Sequence, residues 1–332
     1  MVDLLERSDE LSRLATTLEA GEEGHGSFVL VSGEAGIGKT SLIRTFAAQA
    51  SRARVLWSAC DDLATPRALG PLRDLATQLG GAVEASITAA KEPVDLFSEL
   101  LDALDSGIRA TLVVIEDVHW ADHATHDMLK YLARRIANIK CVLIVSYRDD
   151  EVPADHPLHA VFGDVPSASI QRLALKPLTR EGVGALVEGS GYSVEEVLEA
   201  TGGNPFFVTE LGPTNEAGVP ANVLDALISR ISRLSTGTRD LVRMISVVPG
   251  RAPRWQLTAF PEDTFEEAQE RGLIDFDDEA AWYRHELARR AVEESLAPGQ
   301  RRQSHTAVLA TLVKHEADPG ADCSPRGRCK GR

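Results

Sequence analysis

Residues 28–45 read FVLVSGEAGIGKTSLIRT, and this stretch decides the fold of the chain more than any other. An apolar run leads into a turn that carries Gly33, Gly36 and Gly38, and Lys39 and Thr40 follow before a helix-compatible segment. This is the pattern G-x-x-x-x-G-K-[ST] in the setting of strand, loop and helix that it requires. The alternative is a glycine turn that arose by chance, which the flanking strand and helix disfavour. The stretch therefore predicts a loop that binds the phosphates of a nucleotide.

Each residue type in this loop has a physical reason. Glycines let the backbone turn tightly so that its N–H groups point at phosphate oxygens, and the N-terminus of the following helix adds positive partial charge. A lysine reaches the β- and γ-phosphates, and a hydroxyl binds Mg²⁺. The expected nucleotide-binding residues are Gly33, Glu34, Ala35, Gly36, Ile37, Gly38, Lys39, Thr40 and Ser41.

Further apolar runs predict strands at 55–60, 111–116, 140–146 and 169–175. Helical spacing of leucines indicates a helix over 4–18 that ends in the glycine-containing segment 21–26, and further helices are expected within 66–105 and at 122–137. Strands that alternate with helices are typical of a parallel, doubly wound sheet. We therefore expect an α/β fold with a parallel sheet of the P-loop NTPase type.

Two acids, Glu116 and Asp117, follow the apolar strand at 111–116. An ATPase of this type needs one carboxylate to hold Mg²⁺ or its water shell and another to polarise the attacking water. Ligands collect at the carboxyl edge of such a sheet, so adjacent acids there can serve both roles. We favour Asp117, with Thr40, for Mg²⁺ and Glu116 for the water; the alternative is an exposed acidic turn.

Arg148 follows the next strand, in the sequence IVSYRDDE. A planar, bidentate donor at this strand end suits contact with a γ-phosphate, and it would complete the catalytic set with Glu116 and Asp117. The alternative is a salt bridge to Asp149, Asp150 or Glu151. A lone His119 nearby is more often structural than functional.

After residue 176 the pattern changes to helices at 179–189 and 193–200, helical spacing from residue 222, a β-hairpin at 271–286 and a helix at 299–315. Helices with one hairpin in a segment of this size suggest a winged-helix-like domain. We expect an ATPase core at 1–176, a small helical lid at 177–215, the winged-helix-like domain at 216–315 and a disordered or atypical tail at 316–332. The tail, CSPRGRCKGR at its end, suggests a disordered terminus, a frame change near Asp322 or a basic arm.

Composition narrows the function classes. A net charge of −15 argues against a non-specific nucleic-acid or anionic-membrane surface. The chain has no apolar stretch long enough to span a membrane and no apolar signal core at its N-terminus. Cys60 and Cys141 border strand-like runs and suit reduced core thiols, and no cysteine spacing suggests a zinc site. We expect a cytoplasmic protein.

Together these motifs resemble the STAND branch of the AAA+ ATPases, and most closely the ATPase region of large LuxR-type transcriptional regulators. The blocks that carry the resemblance are ERSDELSRL, GEAGIGKT, VVIEDVHWAD, LIVSYRDDE, GGNPFFVTEL and YRHELARRAV, in that order over about residues 5 to 315. The same blocks are similar to ATPase regions that are attached to class III adenylyl cyclases.

The resemblance implies an ATP/ADP switch with Mg²⁺, in which ADP holds a closed form and ATP opens it for self-association. It implies that Pro205, in Gly203-Asn204-Pro205, packs against adenine, and that His285 contacts the ADP phosphate. No LuxR-type recognition helix is visible in the sequence, so direct DNA binding by this chain is not expected. The expected function is a signal-transduction switch with slow ATP hydrolysis; a full-length regulator is a candidate partner, and the inducer is unknown. A truncated, non-catalytic interaction module and a motor-type AAA+ ATPase remain as alternatives.

Overall fold

The computed structural model describes residues 4–63, 68–89, 92–211 and 219–317; the predicted basic end of the tail lies outside these ranges. The described residues divide into two compact units. The first unit comprises the residues up to 186 together with 203–206, and the second comprises 187–202 and the residues from 207 onward. The division into an ATPase core, a lid and a winged-helix-like domain, which the sequence suggests, stays a prediction.

The first unit contains a five-stranded sheet in the order β2-β3-β4-β1-β5, and all four pairings are parallel. The predicted parallel α/β sheet of the P-loop NTPase type is therefore confirmed. The strands are β1 (Ser27–Ser32), β2 (Arg54–Ala59), β3 (Thr111–Glu116), β4 (Cys141–Ser146) and β5 (Ile170–Ala174).

The central strands β3 and β4 are buried along their whole length because helices cover both faces of the sheet. Val113, Ile115 and Leu143 pack in the core on one face, whereas Leu112 and Val142 pack in the core on the other. This two-sided burial explains why both strands read as continuous apolar runs. The helices of this unit are α1 (Ser8–Glu22), α2 (Lys39–Gln49), α3 (Gly70–Leu79), α4 (Gly81–Thr88), α5 (Pro93–Asp105), α6 (His123–Ala133), α7 (Leu158–Asp164) and α8 (Arg180–Val187).

The bounds expected for α1 were wrong at both ends. The helix begins at Ser8 because Glu6 has a left-handed backbone (φ 56°) and its carboxylate accepts the Thr179 N–H at 2.8 Å. At the other end the helix continues through Gly21 to Glu22. A Cβ on Gly21 would lie only 2.9 Å from the side chain of Val142. Glycine at this position thus allows α1 to pack closely on β4 and does not end the helix.

Cys60 and Cys141 are buried free thiols whose pKa values burial raises to about 12.

The second unit combines helices with a three-stranded antiparallel sheet in the order β6-β8-β7. The predicted hairpin is present as β7 (Ile274–Phe276) and β8 (Ala280–Tyr283), and the Asp277 carboxylate closes its turn by accepting the Ala280 N–H at 2.8 Å. The sequence reading missed β6 (Arg251–Pro253), and the winged-helix interpretation stays a prediction. The helices are α9 (Val194–Thr201), α10 (Pro205–Leu211, which begins in the first unit), α11 (Ala221–Ser232), α12 (Thr236–Ser246), α13 (Glu262–Glu270), α14 (Glu286–Ser295) and α15 (Pro298–Ala317).

Candidate nucleotide-binding site

The loop between β1 and α2, which we call the phosphate loop (residues 33–41), has the backbone that its glycines permit. Gly33, Gly36 and Gly38 have φ angles of 141°, 83° and 100°, a range that residues with a Cβ rarely adopt. Ile37 is buried under the turn, and α2 begins directly at Lys39. The N–H groups of the first turn of α2 therefore open onto the loop, as an anion site requires.

Lys39 lies inside this loop rather than in solvent. Its Nζ donates hydrogen bonds to the carbonyl oxygens of Gly33 at 2.7 Å and Glu34 at 3.0 Å. Burial lowers the pKa of Lys39, and the nearby charge of Arg148 lowers it further. An anion bound beside these two cations would relieve both effects, because it would stabilise their charged forms.

Thr40, the next residue of the loop, is connected directly to the end of β3. Its hydroxyl donates a hydrogen bond to Oε1 of Glu116, and Trp57 Nε1 donates to Oε2 of Glu116 at 3.0 Å. A hydroxyl beside a carboxylate fits Mg²⁺, which takes one or two protein oxygens together with phosphate oxygens and water. In the described part of the chain no three His, Cys, Asp or Glu residues are arranged to hold a metal ion by themselves. A Mg²⁺ at Thr40 and Glu116 would therefore depend on the nucleotide phosphates.

Asp117 directly follows β3 and has a left-handed backbone, with φ 54°. Its N–H donates to the Ser146 hydroxyl at 3.1 Å, which fixes this turn to the end of β4. Burial raises the pKa of the Asp117 carboxyl, and the positive charges of Arg148 and Lys39 oppose that increase. Asp117 thus shares its electrostatic surroundings with the two cations of the site.

Arg148 forms the salt bridge that the sequence left open, and its partner is Glu151. The Nη1–Oε1 distance is 2.5 Å, and the guanidinium carbon lies 4.8 Å from the ring centroid of Trp120. His119 is fully buried beside this pair, and burial lowers its pKa to about 3, which makes it a neutral packing residue at physiological pH. We call Glu116, Asp117, Arg148 and Glu151 the strand-end cluster.

The segment 203–206 lies against the phosphate loop within the first unit. Asn204 is buried, and its Nδ2 donates to Glu34 Oε1 at 2.8 Å and to the Ala35 carbonyl at 3.0 Å. The Phe206 N–H donates to the Gly36 carbonyl at 3.2 Å. A side chain at Gly36 would collide with this segment, since its Cβ would lie 2.8 Å from Phe206 Cβ. Asn204 and the Phe206 N–H thus both form hydrogen bonds with the phosphate loop.

Two site residues implied by the resemblance stay predictions. Pro205 follows Asn204 and begins α10, and its contact with adenine is untested. His285 belongs to the second unit and immediately precedes α14. There its ring lies 5.0 Å from that of Phe207, and a Cβ on Gly202 would lie 3.0 Å from its Nδ1. His285 is thus packed against the residues that flank the segment 203–206.

Sequence reasoning did not assign several side chains that shape the site. Trp57 fixes Glu116, Ser146 fixes Asp117, and Asn204 contacts the phosphate loop. Only Asn204 had a sequence signal, its place in the Gly-Asn-Pro motif. Trp57 and Ser146 come from neighbouring strands, so their roles depend on the strand order of the sheet.

The chain is similar to known proteins in part of its sequence and in its fold. Residues 3–145 match the family model described as "AAA ATPase domain". A Walker-type ATPase of Pyrococcus abyssi has a similar structure, with a TM-score of 0.60, 14% identity and coverage of 87% of this chain and 96% of that chain. A STAND protein with a tetratricopeptide repeat sensor from Pyrococcus horikoshii aligns with a TM-score of 0.46 and 18% identity, over 95% of this chain and 46% of that one.

Among curated proteins, an uncharacterized protein of Rhizobium meliloti (strain 1021) is 27% identical over 256 residues. The match covers 63% of this chain and 24% of that protein, so the chain spans about a quarter of its relative's length. Within the described ranges, no helix is both long enough and apolar enough to cross a membrane. Residues 3–145 thus match an AAA ATPase domain model, and the chain has a fold that is shared with P-loop NTPases.

Proposed function

We propose that this chain binds ATP and ADP with Mg²⁺ and acts as a slowly hydrolysing signal-transduction switch, the ATPase region of a LuxR-type regulator. The observation that carries the nucleotide-binding part is the hydrogen bond between Thr40 in the phosphate loop and Glu116 at the end of β3. It joins the residue type that holds Mg²⁺ to the carboxylate that such an ATPase needs there. The regulator role rests on the resemblance of the sequence blocks.

We assign the two acids in the opposite way to the sequence-based expectation. Glu116 would hold the Mg²⁺ water shell, because it is hydrogen-bonded to Thr40 and fixed by Trp57. Asp117 would orient the attacking water and accept its proton, because burial raises its carboxyl pKa toward the range useful for a general base. Lys39 would contact the β- and γ-phosphates, and Arg148 the γ-phosphate alone. Bound Mg²⁺ would neutralise charge on the phosphates.

The decisive test is a titration with fluorescent ATP and ADP, together with mass spectrometry of the nucleotide that co-purifies. We expect the Lys39→Ala variant to lose roughly 100-fold or more in affinity, because a charged phosphate contact is removed from a buried site. The matched control is Lys130→Ala, whose ammonium lies 4.0 Å from Asp127 on the surface of α6. Equal affinity in wild type and Lys39→Ala would contradict the proposal.

Turnover then separates the switch from its alternatives. A switch retains ADP and turns over well below about 1 s⁻¹, whereas a motor sustains rates nearer the enzyme median of about 10 s⁻¹. A folded protein that binds neither nucleotide would support the non-catalytic interaction module. Each outcome is read from the same preparation, with circular dichroism as the control for folding.

A further inference from the structure

We propose that Glu151 is a specificity-determining residue that holds Arg148 in a resting position and thereby sets the preference between ATP and ADP. The inference rests on the proposed nucleotide site and adds a residue to it. Glu151 would act by competition, because Arg148 can pair either with the Glu151 carboxylate or with the γ-phosphate of ATP. ADP has no γ-phosphate and would leave the Arg148–Glu151 pair intact.

Arg148 follows the strand that lies beside the one leading into the phosphate loop. It follows β4, whose residue Ser146 pairs with Val31 of β1 just before the phosphate loop, and the Tyr147 N–H donates to the Val31 carbonyl at 3.1 Å. The charge of Arg148 also lowers the pKa of Lys39 and counteracts the burial of Asp117. Arg148 therefore belongs to the same electrostatic site as the loop lysine.

Glu151 is built to hold this arginine. Its side chain is 8% exposed, and it accepts hydrogen bonds from Arg148 at 2.5 Å and from Trp120 Nε1 at 3.1 Å. His119 Nε2 lies 3.6 Å from the same carboxylate oxygen that Trp120 contacts. The Trp120 ring thus underlies the guanidinium while its N–H fixes the carboxylate, which positions both members of the pair.

The burial of the pair makes the competition effective. The Arg148 side chain is only 19% exposed, so its guanidinium needs another anion when it leaves Glu151, because a largely buried charge without a partner is unfavourable. A γ-phosphate supplies that anion with suitable bidentate geometry. Glu151 keeps the Trp120 N–H when Arg148 leaves, so the carboxylate does not lose all of its donors. Part of the free energy of γ-phosphate binding is therefore spent on separating Arg148 from Glu151.

The test compares ATP and ADP affinities in wild type, Glu151→Gln, Arg148→Ala and the double variant. We expect Glu151→Gln to raise the ratio of ATP to ADP affinity roughly 10-fold, because the charged competitor for Arg148 is removed. In the Arg148→Ala background, Glu151→Gln should leave the ratio unchanged. The matched control is Asp164→Asn, which removes the carboxylate 3.0 Å from Arg134 in the same unit and should not alter the ratio.

A second variant covers the case in which Glu151→Gln does not fold. Trp120→Phe removes one donor to Glu151 and keeps a ring under Arg148. Glu151 would then lose a larger share of its donors when Arg148 leaves, so the ratio of ATP to ADP affinity should fall below that of wild type. If wild type binds both nucleotides and neither variant changes the ratio, the inference is overturned while the proposed function stands. If wild type binds neither nucleotide, the proposed function fails, and the inference fails with it.

Discussion

The phosphate loop and the strand-end cluster form the two sides of the candidate site, and they are built differently. In the loop, Lys39 contacts carbonyl groups of Gly33 and Glu34, so the structure is local and made largely by backbone. In the cluster, Glu116 is fixed by side chains from the loop and from β2, and Arg148 by Glu151. We therefore expect nucleotide binding by the loop to be most sensitive to changes of backbone conformation. The cluster should be most sensitive to the loss of single side-chain groups.

The largest expected effect is that of Gly36→Val on the loop side. Gly36 has φ 83°, and a Cβ there would lie 2.8 Å from Phe206 Cβ and 2.9 Å from Asn204 Oδ1. We expect about 2–4 kcal/mol of lost stability in urea unfolding, from backbone strain and overpacking together, and loss of nucleotide binding. Gly163→Ala in α7 is the control, since its Cβ would meet nothing within 4 Å. A Gly36→Val protein with wild-type affinity would show that the loop is not constrained by its backbone.

The next largest effect separates the two acids of the strand-end cluster. Asp117→Asn should preserve Mg²⁺-dependent ATP binding and slow single-turnover hydrolysis about 100-fold or more, because it removes the proton acceptor. Glu116→Gln should instead raise the Mg²⁺ concentration needed for binding, since the carboxylate beside Thr40 is lost. Rapid-quench measurements across a Mg²⁺ series distinguish the two. The opposite pattern would restore the assignment expected from the sequence.

Asp117→Asn also has a stability consequence whose sign follows from burial. Because the pKa of Asp117 is raised in the folded state, the ionised carboxylate disfavours folding above its usual titration range. We therefore expect Asp117→Asn to be more stable than wild type at neutral pH. The difference should shrink as pH falls below the carboxyl range, where both states of the wild type are protonated. Chemical unfolding at several pH values measures it, and an Asn variant that is less stable at neutral pH would contradict the burial argument.

Asn204→Ala tests the connection between the phosphate loop and the segment 203–206. It removes the hydrogen bonds from the buried Asn204 amide to Glu34 and to the Ala35 carbonyl, which are both partly buried, at a cost of about 1–3 kcal/mol. The exposed Asn222, whose Nδ2 contacts Glu210 Oε2 at 2.9 Å, provides the control as Asn222→Ala. If both variants lose equally little stability, Asn204 does not hold the loop.

The difference between the phosphate loop and the strand-end cluster also explains which parts of the site can be predicted from the sequence. The phosphate loop is predicted by a local motif, because its glycines, Lys39 and the flanking strand and helix lie within a few residues of one another. The apolar runs of β3 and β4 were readable because two-sided burial removes alternation. The short β6, three residues long and ending in Pro253, carries no periodicity to detect.

The strand-end cluster was readable only in part. Glu116, Asp117 and Arg148 were found because they follow predicted strands. The sequence offered three consecutive acids, residues 149–151, as partners for Arg148. The partner is Glu151, whose carboxylate also accepts the Trp120 N–H. The bond between Thr40 and Glu116 joins residues 76 positions apart, so it follows from strand order and not from local sequence. This long-range bond also supports the proposal that Glu116 holds the Mg²⁺ water shell, and the roles of the two acids stay predictions.

The smallest expected effect concerns the stability of the protein in acid. His126 on α6 is buried, and in the described part of the chain neither ring nitrogen has a hydrogen-bond partner. Burial lowers its pKa from 6.5 to about 4, so the unfolded chain binds more protons than the folded one between these values. Stability contributed by neutral His126 is therefore lost as pH falls from about 6.5 toward 4, and His126→Leu should flatten that part of the profile. Urea unfolding of both proteins between pH 4 and 7 measures the slopes. Because His119 is also held neutral by burial, with a pKa of about 3, some slope should remain in the variant. Identical slopes would mean that acid destabilises the protein through groups other than His126.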